Sequence, residues 1–213
     1  MSAEKLDYKK KFKELYQPKT TPSLIDIPEM IFFAVDGKGD PNSCQEYKNA
    51  IEVLYGMSFT VKMSKLNGTQ PEGYFEYTVP PLEGLWYQED TVGIDYSRKN
   101  DFIWTSMIRQ PEFVTEAVFE LAKETLHRKK PQLDLSNLKM MRFKEGLCVQ
   151  LMHIGSYDNE PESIARLSKF VSENGLCEDF TENRFHHEIY LSDPRKCAPE
   201  KLKTVIRHPV RII

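Results

Sequence analysis

The sequence predicts an α+β fold: two βαββ modules related by a pseudo-twofold axis, each a curved antiparallel sheet backed by a helix, with a central ligand crevice between them. Three observations carry this reading. Both halves of the chain read strand, turn, helix, strand, strand. Their closing strands share letters, "SMIRQP" at 106–111 against "TVIRHP" at 204–209, so that Ile108-Arg109 matches Ile206-Arg207 and Pro111 matches Pro209. A repeated order of elements with a local identity points to a duplicated unit of roughly 90 residues. Finally, "FHHEIYL" near the C-terminus has one apolar and one polar side at strand spacing, as in a sheet whose second face either meets water or lines a cavity.

Residues 1–28 read as a basic amphipathic helix followed by the Pro-rich lead-in "PKTTPSLIDIP", with Phe12, Leu15 and Tyr16 docking on the body. Residues 29–213 then form one domain, its modules at about 29–111 and 140–213 joined by a helix at about 113–128. "MIFFAV" is a buried strand ended by the turn "DGKGDPN". Ser43 is the expected N-cap of the next helix, where Tyr47, Ala50, Ile51, Leu54 and Tyr55 share one face. "YFEYTV" and "LEGLWY" flank the Pro80-Pro81 break as strand segments, and "DFIWTSMI" is another strand. The joining helix "FVTEAVFELAKETLHRKK" carries its basic residues at the C-terminal end, where the helix dipole favours them. In the second half "GLCVQLMHI" is a strand, "GSYDNEP" a turn, 160–173 a helix, and "FHHEIYL" and "LKTVIRHPV" strands.

Composition narrows the function. The 213 residues are 40% hydrophobic and 29% charged, with a net charge of −3, so no overall field draws the chain to nucleic acid. No apolar run reaches the length of a membrane span, and the N-terminus lacks a signal-peptide pattern, so a cytoplasmic location is expected. Cys44, Cys148, Cys177 and Cys197 are scattered and read as reduced thiols. His186 and His187 are adjacent, so on a strand they diverge, and "HHEIY" lacks the second histidine of H-E-x-x-H. Neither a metal nor a cofactor is expected. The phosphate-loop, nucleophile-elbow and dinucleotide fingerprints do not occur; "DGKGDPN" contains G-x-G, but Pro41 follows where a helix should start.

On a strand, Phe185, His187, Ile189 and Leu191 face one way, and His186, Glu188 and Tyr190 the other. The apolar set should pack under a module helix, with His187 as a core histidine. A dry, unpaired carboxylate is costly, so Glu188 has two readings. It forms a buried salt bridge with Arg207 or Arg109, or it faces a ligand cavity. Trp86 follows Gly84, whose missing side chain lets another group approach the sheet, and is a candidate pocket wall. Trp104, beside Ile103, is either core or wall. Glu83 is a second acidic group or a strand-end residue, Met107 could line the pocket, and Tyr157 could close its mouth.

Together "DGKGDPN" with "YKNAIEVLYG", "PPLEGLWY" and "HHEIYLSDPRKCAPEKLKTVIRHPV" resemble the GyrI-like small-molecule-binding family, in order and over nearly the whole chain. The resemblance implies the duplicated βαββ architecture. It also implies a role among drug-sensing domains, stand-alone binding proteins, and a group that hydrolyses cyclopropane-bearing genotoxic compounds. By it, Glu188 is the central acidic residue, and Trp86 and Tyr87 supply aromatic walls. It favours a ligand-facing Glu188 over the salt bridge. The 28 residues before the first core strand leave no room for a helix-turn-helix module, so no nucleic acid partner is expected.

Two functions follow as expectations. In the first, Glu188 is the base and Tyr190 an orienting donor for adding water to an activated cyclopropane. Trp86, Tyr87, Glu83, Trp104, Met107, Arg109, Tyr157 and His186 form the ligand site. In the second, the same pocket captures planar or cationic aromatic molecules without chemistry. Either way the partner is a hydrophobic or aromatic small molecule.

Overall fold

The apolar run "MIFFAV" is the middle of a much longer strand. In this computed structural model, which describes residues 5–181 and 184–213, β1 spans Ser23–Lys38. The lead-in is therefore largely strand: Pro22 and Pro28 disguise it, yet Ser23–Ile27 pairs with Gln150–Gly146 across the sheet. Ahead of it, the expected single helix is two one-turn helices, α1 (Tyr8–Lys11) and α2 (Lys13–Tyr16), separated at Phe12. The first four residues of that expected helix lie outside the described residues.

The 18-residue α3 (Gln45–Lys62) buries Tyr47, Ala50, Leu54, Met57 and Val61, a helical stripe; Cys44 rather than Ser43 stands at its cap. Strands β2 (Leu82–Tyr87) and β3 (Ile103–Gln110) follow, then α4 (Glu116–Lys129), capped by the Thr115 hydroxyl on the Val118 amide. "YFEYTV" does not form a sheet strand; Tyr77 makes one parallel bridge with Leu6. The second half holds β4 (Leu138–Ile154), α5 (Glu160–Glu173), the short β5 (Leu176–Glu178), β6 (His186–Tyr190) and β7 (Lys203–Ile212). Among the described residues no helix is long and apolar enough to cross a membrane.

All strand pairings are antiparallel. The order runs β4-β1-β3-β2-β6-β7, and β7 pairs back onto β4. The expected pair of curved sheets is thus one closed ring. Closure follows from strand length: the 17 residues of β4 pair with β1 along their first part and with β7 along Cys148–Ile154. Closing a sheet on itself removes exposed edges.

The ring has two faces because side chains alternate. On the outer face, α3 and α4 bury Phe33, Val35, Trp104 and Ile108, and α5 buries Val149, Leu151 and Ile206. On the inner face, Tyr8, Leu15 and Tyr16 of the N-terminal turns pack with Phe32, Met107, Phe143 and Ile189. This corrects one expectation. The apolar side of β6 lies against the N-terminal turns rather than under α3, α4 or α5.

His187 is not a simple core histidine. Its Nδ1 is 3.0 Å from Glu145 Oε2 and its Nε2 is 3.1 Å from Glu83 Oε2. Arg207 donates to Glu145 Oε2 at 3.0 Å, to Gln150 Oε1 and to the Leu15 carbonyl, and the Tyr16 hydroxyl donates to Glu83 at 3.3 Å. Burial by itself would lower the His187 pKa, but the Glu145 charge and hydrogen bonds to both carboxylates override it and raise it to about 9. The ring is therefore an imidazolium donating at both nitrogens. Its contribution to stability is complete below the ordinary value of 6.5 and is lost as pH rises through about 9. The urea midpoint should fall across that window, and H187Q should remove the fall. A flat midpoint in the parent protein contradicts the assignment.

Candidate functional site

Strand pairing places Gly84 opposite Glu188, Trp86 opposite His186 and Leu82 opposite Tyr190. All six project, or in glycine's case leave a gap, on the outer face. Neither α3 nor α5 closes over this β2–β6 seam. A cavity of about 1630 Å³ lies there, walled by α3, by β2 and the 94–102 segment, by β6, and by the turn entering α5.

Its interior is aromatic around two buried carboxyls. Tyr47, Trp86, Tyr96, Phe102, Tyr157 and Tyr190 all reach it, as do Glu160 and Glu188. The rings hold one another edge-on or tilted: Trp86–Phe102 at 5.7 Å, Tyr47–Trp86 at 5.7 Å and Tyr157–Tyr190 at 6.0 Å between centroids. The Trp86 indole N–H donates to the Tyr190 oxygen at 3.0 Å, which leaves the Tyr190 proton for a neighbouring acceptor such as Glu188. Burial, and then the Glu188 charge, raise the pKa of Tyr190, Tyr47, Tyr96 and Tyr157, the last to about 12. These tyrosines are O–H donors at neutral pH.

Gly84 makes the arrangement possible. A Cβ there would lie 2.6 Å from Trp86 Nε1 and 3.3 Å from the Tyr190 hydroxyl. Overpacking of this kind costs about 1–3 kcal/mol. G84A should therefore displace the indole and weaken binding of a planar fluorescent dye by about tenfold. Unchanged affinity in a direct titration would contradict the role given to Trp86.

Glu160, the first residue of α5, stands beside Glu188. The Tyr96 hydroxyl donates to its Oε2 at 3.2 Å, and its buried Oε1 has no partner among the described residues. Burial, followed by the Glu188 charge, raises the Glu160 pKa well above the carboxylate range. Burial and the neighbouring carboxyl both favour the protonated form of Glu160.

Glu188 Oε1 is 2.9 Å from His186 Nε2; His186 Nδ1 is 2.8 Å from His208 Nε2; and His208 Nδ1 is 2.9 Å from Glu178 Oε1. Neither arginine considered as a salt-bridge partner touches Glu188. Arg207 belongs to Glu145 on the inner face, and Arg109 lies over the Tyr8 and Phe12 rings there.

Of the residues singled out from sequence, Glu188, Tyr190, Trp86 and Tyr157 line the cavity. The other placements require correction. Glu83, Met107 and Arg109 are on the inner face, because they alternate with Trp86 along β2 and with Trp104 along β3. Tyr87 also alternates away from Trp86 and stacks on Phe185 at 4.2 Å. Trp104 is on the cavity's face but lies beneath Tyr47 and against Gly37, where a Cβ would come within 2.2 Å of its ring. His186 is covered, behind Glu188. Sequence reading missed Glu160, Tyr96 and Phe102; for Glu160, an acidic residue in a helix's first turn gave no sign of a second role.

The GyrI-like small molecule binding domain model matches residues 20–211. A solved structure of an uncharacterized conserved protein from Listeria innocua is 48% identical, covers 97% of this chain and 100% of its own, and superposes with a TM-score of 0.93. Another, described as a hydrolase from Listeria innocua, is 46% identical over 97% of this chain and 100% of its own, with a TM-score of 0.89. The C-terminal domain of EcmrR, at 17% identity, 91% and 98% coverage and a TM-score of 0.54, is similar in fold. No curated protein matches the chain. With the family model spanning nearly all of β1 through β7, the chain belongs to the GyrI-like small-molecule-binding family.

Proposed function

We propose that this small-molecule-binding domain hydrolyses activated cyclopropanes, with Glu188 as general base. The observation that carries the reading is a pair of neighbouring buried carboxyls, Glu188 and Glu160, set inside a large aromatic cavity. In a cyclopropane conjugated to a carbonyl, water attacks a ring carbon. The new C–O bond forms as a ring C–C bond breaks, and the electron pair flows to the carbonyl oxygen. Glu188 takes the proton released by the water. Tyr190 or the protonated Glu160 donates to the oxygen gaining charge, and Trp86, Phe102 and Tyr157 hold a planar ligand in place. The hydrolase description of the 46%-identical protein supports the same reaction class.

The test is to incubate the purified protein with a spirocyclopropyl dienone and follow the ring-opened, hydrated product. Wild type should form it above the spontaneous rate, and Y190F about tenfold or more slowly, as expected when one donor to a developing charge is lost. No acceleration by wild type overturns the proposal.

A second reading rests on the same carboxyls. An anion among rings also suits capture of planar cations, with cation–π contacts of about 0.5–2 kcal/mol each. In that case E188Q should weaken cationic dyes far more than neutral ones of the same shape. Equal loss for both counts against it. We also read the two halves, β1-β3-β2 and β4-β7-β6 in strand order, as a duplicated module, and the absence of nucleic acid binding as part of the same proposal.

A further inference from the structure

The chain of hydrogen bonds behind Glu188 leads out of the cavity to a different part of the surface. We propose that His186, His208 and Glu178 form a proton relay that returns Glu188 to its basic state while the cavity is still occupied. The proposal rests on the hydrolytic reading above.

Its geometry is continuous. Three contacts of 2.9, 2.8 and 2.9 Å join Glu188 Oε1, both nitrogens of His186, both nitrogens of His208, and Glu178 Oε1. The two imidazoles are almost wholly buried, while the Glu178 side chain is 25% exposed and also accepts from the Ser168 hydroxyl. Glu178 does not line the cavity, so the chain has one end in the site and the other in solvent.

Hydrogen counting fixes what the relay holds. The hydrogen bond from His208 is the main cause that holds Glu178 below the ordinary carboxylate range, so Glu178 accepts and His208 Nδ1 carries hydrogen. The remaining links, Glu188 to His186 and His186 to His208, each need one hydrogen as well. Three protons are therefore shared among four groups. They can be placed with the extra proton on Glu188, on His186 or on His208, all of the same total charge. A single hop along a hydrogen bond converts each placement to the next. When Glu188 takes a fourth proton from the attacking water on its free oxygen, the His208 Nδ1 proton leaves through Glu178 to solvent. The two rings then turn over, carrying one hydrogen to each next link. The Glu188 proton enters the emptied first link and hops to His186, which leaves Glu188 ionised. The oxygen that received the ring's electron pair gains its proton from solvent, so the net reaction is addition of one water.

The groups facing this chain are named by the packing. Glu160, Tyr47, Tyr96, Tyr157 and Tyr190 surround Glu188, and Phe180 lies edge-on to His208 at 5.0 Å. Burial lowers the His208 pKa, with Glu178 and Glu145 opposing and His186 adding to the effect. Glu160 takes no part in the chain, and the Glu145–Arg207 pair is satisfied within the inner face.

The decisive measurement needs no substrate. Histidine-selective ¹⁵N labelling reads the ring nitrogens of the ligand-free protein across pH. His186 and His208 should titrate together with shared midpoints, as coupled sites do. E178Q, at a partly exposed position, should move the His186 ring signals although residue 178 does not touch that ring. Rings that titrate independently, or a His186 unmoved in E178Q, overturn the relay. H208Q supplies a second variant: it keeps polar ends but cannot pass a proton, and it should likewise change the His186 titration.

Turnover then reports on use. With a spirocyclopropyl dienone, E178Q should keep KM and the first turnover but lose about tenfold or more in steady-state rate, with a shifted pH profile. Full steady-state activity in E178Q would overturn the relay's role. If the rings are coupled and wild type does not accelerate ring opening, the hydrolytic reading fails on its own.

Discussion

In E188Q, hydrolysis of an activated cyclopropane should fall by about 100- to 10,000-fold, the usual range for a lost general base. Binding of neutral ligands should change little. The isosteric amide keeps the aromatic cavity intact and can still bond to His186, so the loss should appear in kcat rather than KM. The direction follows from placement. Glu188 reaches the cavity opposite Gly84, with one oxygen engaged by His186 and no arginine neutralising it. Stopped-flow binding and product formation measured on the same preparation separate the two effects. Parent-rate turnover in E188Q would remove Glu188 from the chemistry.

Loss of Arg207 should be the largest single blow to stability. R207M leaves Glu145 buried with only His187 to balance it, and breaking such a pair costs about 3–5 kcal/mol. Glu145 is wholly enclosed. Burial alone would raise its pKa, yet His187 and Arg207 together hold it down to about 2. Its depressed value means that its contribution is complete above the ordinary carboxylate range and is lost as pH falls toward about 2. The double variant E145Q/R207M, which removes both charges, should recover much of the loss. Urea unfolding at pH 6 measures all three proteins. A change below about 1 kcal/mol in R207M would show that the inner-face charges are not coupled as described.

Local signals in the sequence were enough to place most elements. Tyr47, Ala50 and Leu54 recur at helical spacing and do form the buried stripe of α3, and the basic end of 113–128 lies at the C-terminus of α4. Ring closure was not legible, because it depends on β4 pairing with β1 on one edge and with β7 on the other. Pro22 and Pro28 hid the first turnless half of β1, and nothing local distinguishes β5, three residues after a helix, from loop.

The site divides along the same line. Parity within one strand placed Glu188 and Tyr190 on a common face, and Gly84 beside Trp86 marked a close approach. Met107, Arg109 and Glu83 were grouped with the tryptophans, although alternation along β3 and β2 already sets them on the face opposite Trp104 and Trp86; which of the two faces holds the cavity was what one strand alone could not give. His187 looked apolar by its neighbours in sequence, whereas Glu83, Glu145 and Arg207 come from three other strands to surround it. Glu160 is brought to Glu188 only by the docking of α5.

Whether the acidic group at the β2–β6 seam activates water can be settled with one isotope measurement. A spirocyclopropyl dienone is mixed with excess protein in H₂¹⁸O for a single turnover, and the ring-opened product is weighed by mass spectrometry. Product carrying ¹⁸O at the opened carbon is the expected result. Unlabelled product would mean that a protein oxygen attacked first, and an unopened ring would mean that the cavity only binds.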